Sequence, residues 1–141
     1  MAVRKAKSVW EGTLKDGAGT MNFSNYSGPF TFASRFEEGK GTNPEELVGA
    51  AHSGCYSMFL AALISGEGLT PASVETEAVV TLGKDETGPC ITNITLNSLV
   101  KCAGLSQEKF AELAQAAKVK CPISRLYSGS TATIELNAKL V

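Results

Sequence analysis

Apolar and polar positions alternate through the first part of the chain and then give way to one long uncharged block. Before residue 40 the alternation predicts three strands: Ser8 to Leu14, Gly19 to Phe23 and Gly28 to Phe36. In the last of these, Phe30, Phe32, Ser34 and Phe36 fall on one face while Thr31, Ala33 and Arg35 fall on the other. Asp16-Gly17 and Ser27-Gly28 are the turn signals between them.

The uncharged block, Leu47 to Gly66, reads as a helix with a well-specified start. Asn43 suits the N-cap and Pro44 the first helical position, and Glu45 and Glu46 complement the positive end of the dipole. Glu46 is expected to pair back to the Asn43 backbone. The helix is expected to run to about Ser65, where Gly66, Gly68 and Pro71 end it. Two strands rich in Val, Thr and Ile follow, Ser73 to Leu82 and Cys90 to Val100, joined by a turn over Gly83 to Pro89. Ser106 caps a further helix from about Gln107 to Lys118, a short helix starts at Cys121-Pro122, and a strand from Thr131 to Leu140 closes the pattern. The order β-β-β-α-β-β-α-α-β predicts an α+β domain with a mostly antiparallel sheet, spanning 1–141 as a single domain.

Composition narrows the function classes. With 43% apolar and 19% charged residues in 141, the chain fits a soluble globular protein with a substantial core. A formal net charge of −1, with both signs scattered, offers no footprint for nucleic acid or an anionic membrane. The block from Leu47 to Gly66 has the ~20-residue length of a membrane span, but its histidine, serines and glycines favour a buried central helix. No apolar run follows the basic start Met1-Ala-Val-Arg-Lys-Ala-Lys, so no signal peptide is expected. The expected location is the cytoplasm, where the 4 cysteines would be reduced.

Those cysteines carry the candidate chemistry. Cys121, as N-cap ahead of Pro122, would sit beside unpaired amides and the positive dipole end, with Lys118 and Lys120 near; these favour thiolate over thiol. Cys55 lies mid-helix and gains nothing from a helix terminus, so its reactivity needs a cation from elsewhere. Arg35 is the candidate, set among Phe30, Phe32 and Phe36. At about 100° per residue, Glu45 and His52 share a helical face and Cys55 lies roughly 60–80° round from both. Glu45 is nevertheless about 15 Å along the axis from Cys55. It therefore acts through a long arginine, or on the Cys55 of a second subunit paired across a two-fold axis. His52, the 1 histidine, is either a base for Cys55 or, as the i,i+3 spacing favours, a hydrogen-bonded core residue. Cys90 and Cys102 match no zinc pattern, and no phosphate-cradling or dinucleotide motif is present, so no metal or cofactor is expected.

The segment Ser34-Arg-Phe-Glu-Glu-Gly-Lys-Gly-Thr-Asn-Pro-Glu-Glu-Leu-Val-Gly-Ala-Ala-His-Ser-Gly-Cys-Tyr-Ser-Met58, with Cys121-Pro-Ile-Ser124, resembles the OsmC branch of the OsmC/Ohr family. The similarity runs from Trp10-Glu-Gly to the final strand. It implies a thiol peroxidase with an OsmC-like α+β fold, forming an intertwined homodimer with active sites at the subunit interface. It implies Cys55 as peroxidatic and Cys121 as resolving cysteine, with an Arg35–Glu45 ion pair supporting the Cys55 thiolate. The implied substrates are organic hydroperoxides, and the implied reductant is a dithiol such as a dihydrolipoyl protein. Phe30, Phe36, Tyr56, Met58 and Phe59 are the expected apolar surroundings, rewarding burial of an alkyl group. A Cys55–His52 hydrolase and a non-enzymatic apolar-ligand or thiol-sensor protein are the competing readings.

Overall fold

Ten elements form in the computed structural model, which describes all residues 1–141: β1 (Lys7–Glu11), β2 (Ala18–Phe23), β3 (Tyr26–Phe30), α1 (Phe32–Phe36), α2 (Pro44–Gly66), β4 (Ser73–Asp85), β5 (Gly88–Lys101), α3 (Gln107–Lys120), α4 (Pro122–Tyr127) and β6 (Thr133–Leu140). They group into two compact units, Met1–Leu47 and Val48–Val141, with α2 running across the boundary.

In the first unit β1, β2 and β3 form an antiparallel meander with Trp10 opposite Gly19 and Gly19 opposite Phe30. The missing side chain at Gly19 is required, because a Cβ there would lie 2.5 Å from the Phe30 ring. Trp10 and Phe30 pack with ring centroids 5.1 Å apart. The strand expected over Gly28 to Phe36 is instead a strand and a helix. Thr31 N-caps α1: it accepts from the Ser34 amide at 3.1 Å, and its own amide donates to Ser34 Oγ at 2.8 Å. Phe32 and Phe36 lie on one face of a strand, but also at i,i+4 on a helix, and their rings meet at 4.9 Å. The apolar spacing fitted both structures; the reciprocal cap decides for the helix.

In the second unit β4 and β5 are antiparallel over nearly their full length, with a bulge at Thr81/Leu82, while β6 runs parallel to β5. The sheet is thus mixed, and the turn between β4 and β5 is tighter than expected. One face of β5, through Ile94, Leu96, Ser98 and Val100, is buried. The core it shares includes Tyr56, Leu60 and Ile64 of α2 and Phe110, Leu113, Ala114 and Ala117 of α3. The buried positions of α2 are Gly49, His52, Tyr56, Leu60 and Ile64, one stripe at helical spacing. Gly49 lets that stripe approach β4 closely, since a Cβ would stand 3.3 Å from Val80. By length and composition α2 is long and apolar enough to cross a membrane; this stripe is the core contact expected of a central helix.

Candidate active site

Local chain chemistry at the α3–α4 junction builds the centre of the site. Cys121 ends α3, its amide donating to the Ala117 carbonyl at 3.0 Å, and begins α4, its carbonyl accepting from Arg125 at 3.0 Å. Its extended backbone makes it the N-cap, and Pro122 occupies the first turn, where a missing N–H costs nothing. The Ser124 amide donates to Cys121 Sγ at 3.3 Å. The expected cap at Cys121 is therefore made, by a side chain that is completely buried.

The next free amide of α4, that of Ile123, is near enough to the sulfur of Cys55 to influence its titration. Cys55 thus feels the start of another helix, an influence its own mid-helix position did not suggest. Burial pushes the Cys55 thiol up, the Ile123 amide pulls it down, and the neighbouring Cys121 raises it again. The two cysteines, distant in sequence, are neighbours, and both are free thiols.

His52 is a core histidine. It is fully buried, its Nε2 lies 2.7 Å from Ser124 Oγ, and Tyr127 meets its ring edge-on at 5.4 Å. Burial lowers its pKa below the ordinary value of 6.5. Ser124, which the sequence reasoning passed over, also accepts a hydrogen bond from Cys121 Sγ at 3.1 Å. Its signal was its place in Cys121-Pro-Ile-Ser124, where the third helical position turns back toward the cap. His52 Nε2 thus faces Ser124, and no hydrogen bond joins His52 to Cys55.

The first unit holds the other two expected residues. Ser34 Oγ donates to the Thr42 carbonyl at 2.8 Å and Asn43 Nδ2 donates to the Ser34 carbonyl at 3.1 Å, tying α1 to the start of α2. Asn43 caps α2 by accepting from the Glu46 amide at 2.8 Å, while the Glu46 carboxylate accepts from the Thr42 hydroxyl at 3.1 Å rather than turning back to the Asn43 backbone. The ties bring adjacent Arg35 onto Glu45. Its NH2 group donates to Oε1 at 2.8 Å and its Nε donates to Oε2 at 3.2 Å, a two-pronged pair. The Arg35 side chain is 35% exposed, and it sits on a helix and not on the strand expected over Gly28 to Phe36. Its guanidinium lies 5.1 Å from the Phe36 ring centroid.

Arg35 lines an apolar cavity of about 400 Å³ together with Trp10, Leu14, Phe30, Phe32 and Phe36. Of the expected apolar surroundings, Phe30 and Phe36 are here. Tyr56 is in the second unit's core with its pKa pushed up to about 12 by burial, Phe59 packs against that core, and Met58 is exposed. Phe32 was placed near Arg35 by sequence, but Trp10 and Leu14 were not anticipated, because their strand and turn positions carry no chemistry of their own. No group of His, Cys, Asp and Glu is arranged to hold a metal ion.

A family model described as OsmC-like protein matches residues 37–137. Peroxiredoxin OsmC of Escherichia coli is 44% identical over 128 residues, covering 87% of this chain and 88% of the relative. Among solved structures, the organic hydroperoxide resistance protein OsmC of Legionella pneumophila has a TM-score of 0.76 over 99% of both chains at 20% identity. OhrB of Bacillus subtilis has a TM-score of 0.71 over 98% of this chain and 100% of its own, at 27% identity. These likenesses bear out the expected OsmC-like α+β fold, and the chain belongs to the OsmC-like protein family.

Proposed function

We propose that this protein is a cysteine-based thiol peroxidase of the cytoplasm that reduces organic hydroperoxides, and more weakly hydrogen peroxide, to alcohols in oxidative or osmotic stress. The Cys55 thiolate attacks the distal oxygen of ROOH; the O–O bond breaks, RO⁻ takes a proton from water, and Cys55 becomes a sulfenic acid. Cys121 attacks that sulfur, expelling the oxygen as water and forming a Cys55–Cys121 disulfide. A dithiol, such as a dihydrolipoyl protein, returns both thiols and is itself oxidised.

The observation that carries this reading is the pair of neighbouring free thiols at the start of α4, with Cys121 capped by the Ser124 amide and Cys55 acted on by Cys121 and the Ile123 amide. The similarity to a protein called peroxiredoxin OsmC supports it. The aromatic cavity beside Arg35 supports the preference for organic substrates, since it rewards burial of an alkyl chain at about 25 cal/mol per Å². Helix α2 is unbroken from Pro44 to Gly66, so Glu45 and Cys55 of one chain are separated by about 15 Å of helix. In this reading the protein is an intertwined homodimer, and the Arg35–Glu45 pair serves Cys55 of the partner subunit.

The test is hydroperoxide consumption with tert-butyl hydroperoxide and a dihydrolipoyl donor. Cys55→Ser is expected to abolish turnover. Cys121→Ser is expected to give one burst, about one equivalent per site, leaving oxidised Cys55 visible by mass. Equal residual turnover in the two variants would overturn the assignment of roles.

A further inference from the structure

His52 is an expensive residue to bury unless it is used. Its ring is completely enclosed and its Nδ1 has no hydrogen-bond partner. A histidine kept for structure alone would have both nitrogens satisfied. Its other nitrogen begins a chain of two short contacts. Nε2 lies 2.7 Å from Ser124 Oγ, and Cys121 Sγ donates to the same oxygen at 3.1 Å. Ser124 is 2% exposed and Cys121 0% exposed, so the line is closed off from bulk solvent.

The proton inventory fixes the direction. A serine hydroxyl has one proton. With the Cys121 thiol donating into Ser124 Oγ, that proton is left to point at Nε2, and the ring carries its own on Nδ1. Moving one proton along each contact gives a Cys121 thiolate, an unchanged serine and an imidazolium. The thiolate keeps the Ser124 amide as donor, at 3.3 Å.

We propose that His52, acting through Ser124, takes the proton of Cys121 as that thiol attacks oxidised Cys55, and returns it when the reductant sets Cys121 free. The placing of these steps rests on the peroxidase reading; the relay does not. In the forward step the Cys121 sulfur forms the S–S bond, its proton goes to His52, and hydroxide leaves half-buried Cys55 to be neutralised by solvent. In the reverse step a thiolate of the dithiol attacks Cys55, the more open sulfur, and the S–S bond breaks. Cys121 leaves with the electron pair and recovers its proton from His52. The second thiol of the reductant then displaces Cys55. His52 is a positioning residue for the proton and touches neither substrate nor Cys55 chemistry directly; Ser124 touches the reacting sulfur. The titratable groups about the ring are Cys121, through Ser124, and Tyr127 of α4, whose own pKa burial raises. Burial disfavours the imidazolium, and the thiolate two contacts away offsets this until the S–S bond forms.

The relay is tested without peroxide. In a Cys90→Ser background, Cys55 is loaded with 5,5′-dithiobis(2-nitrobenzoate), and release of the thionitrobenzoate anion as Cys121 attacks Cys55 is followed by absorbance. Expected is fast release, nearly independent of pH around neutrality, in the parent. Ser124→Ala and His52→Gln are expected to be slower by about a hundredfold, the scale of general acid–base catalysis, with rates that climb about tenfold per pH unit. Ser124→Thr, which keeps the hydroxyl, is expected to restore most of the rate. His52→Gln keeps a hydrogen bond to Ser124 but cannot take a proton, so a parental rate there would overturn the proposal. So would a parental rate in Ser124→Ala, or no release from the parent. Parental release with no hydroperoxide consumption would sink the peroxidase reading and leave the relay standing.

Discussion

A half-buried thiol needs a reason to ionise, and at Cys55 the forces are opposed. Burial and the neighbouring sulfur hold the proton on, and one amide from Ile123 works against them. In the proposed dimer the decisive charge is Arg35, held rigid by its two-pronged contact with Glu45. A guanidinium suits this task because its fork binds the carboxylate with one edge and leaves N–H groups for another partner. Arg35→Ala is expected to slow alkylation of Cys55 by iodoacetamide near neutral pH by about tenfold, one pKa unit of lost thiolate. Arg35→Lys is expected to recover only part of it. An unchanged alkylation rate in Arg35→Ala would remove Arg35 from the site.

Helix α2 has two faces with different duties. The stripe through His52, Tyr56, Leu60 and Ile64 is buried, whereas Ala51, Gly54, Met58 and Ala62 are exposed. Met58 is 77% exposed, and an added Cβ at Gly54 would meet nothing within 4 Å. Such a face of small residues and one large apolar side chain suits close packing against a second copy. Gly54→Arg is expected to convert the proposed dimer to monomer in size-exclusion chromatography with light scattering, and to lower turnover with it. A dimer unaffected by that arginine would place the subunit contact elsewhere. Much at this scale was legible in sequence. The start of α2 was written in Asn43-Pro44-Glu45-Glu46, and Ser106 and Cys121 marked the starts of α3 and α4. What was not legible came from long-range geometry or from ambiguous spacing. Residues 32 and 36 obey strand and helix periods alike, so Thr31 and Ser34 had to be seen bonding before α1 could be known. That α4 would direct an amide to Cys55 depends on how its first turn is set against α2, which no local motif encodes. Ser124 was missed for the same reason, since its partner His52 is 72 residues away.

For the second unit as a whole, a buried neutral histidine links stability to pH. The folded protein holds His52 below 6.5, while an unfolded chain protonates it near that value. Between those limits the unfolded state carries the extra proton, so stability falls as pH drops through 6.5 and levels once folded His52 is also charged. Cys55 acts at the opposite end: its raised pKa gives stability that is full below 9.0 and is lost as pH climbs beyond it. Urea midpoints between about pH 7.5 and about pH 5.5 are expected to fall in the parent and to fall less in His52→Gln. Equal slopes would mean that His52 contributes nothing to the acid side.

Proline at the head of α4 has a consequence for the resting and oxidised states. Because Pro122 has no N–H, the first two amides available in that turn are those of Ile123 and Ser124; the Ser124 amide is given to Cys121 Sγ, and the Ile123 amide draws on the thiol of Cys55. Thiolates are good acceptors and disulfide sulfurs are poor ones. Bridging the two sulfurs in the proposed cycle therefore weakens the Cys121 cap of α4. The oxidised enzyme would begin this helix with loosened backbone, at the very turn an incoming electron donor must reach.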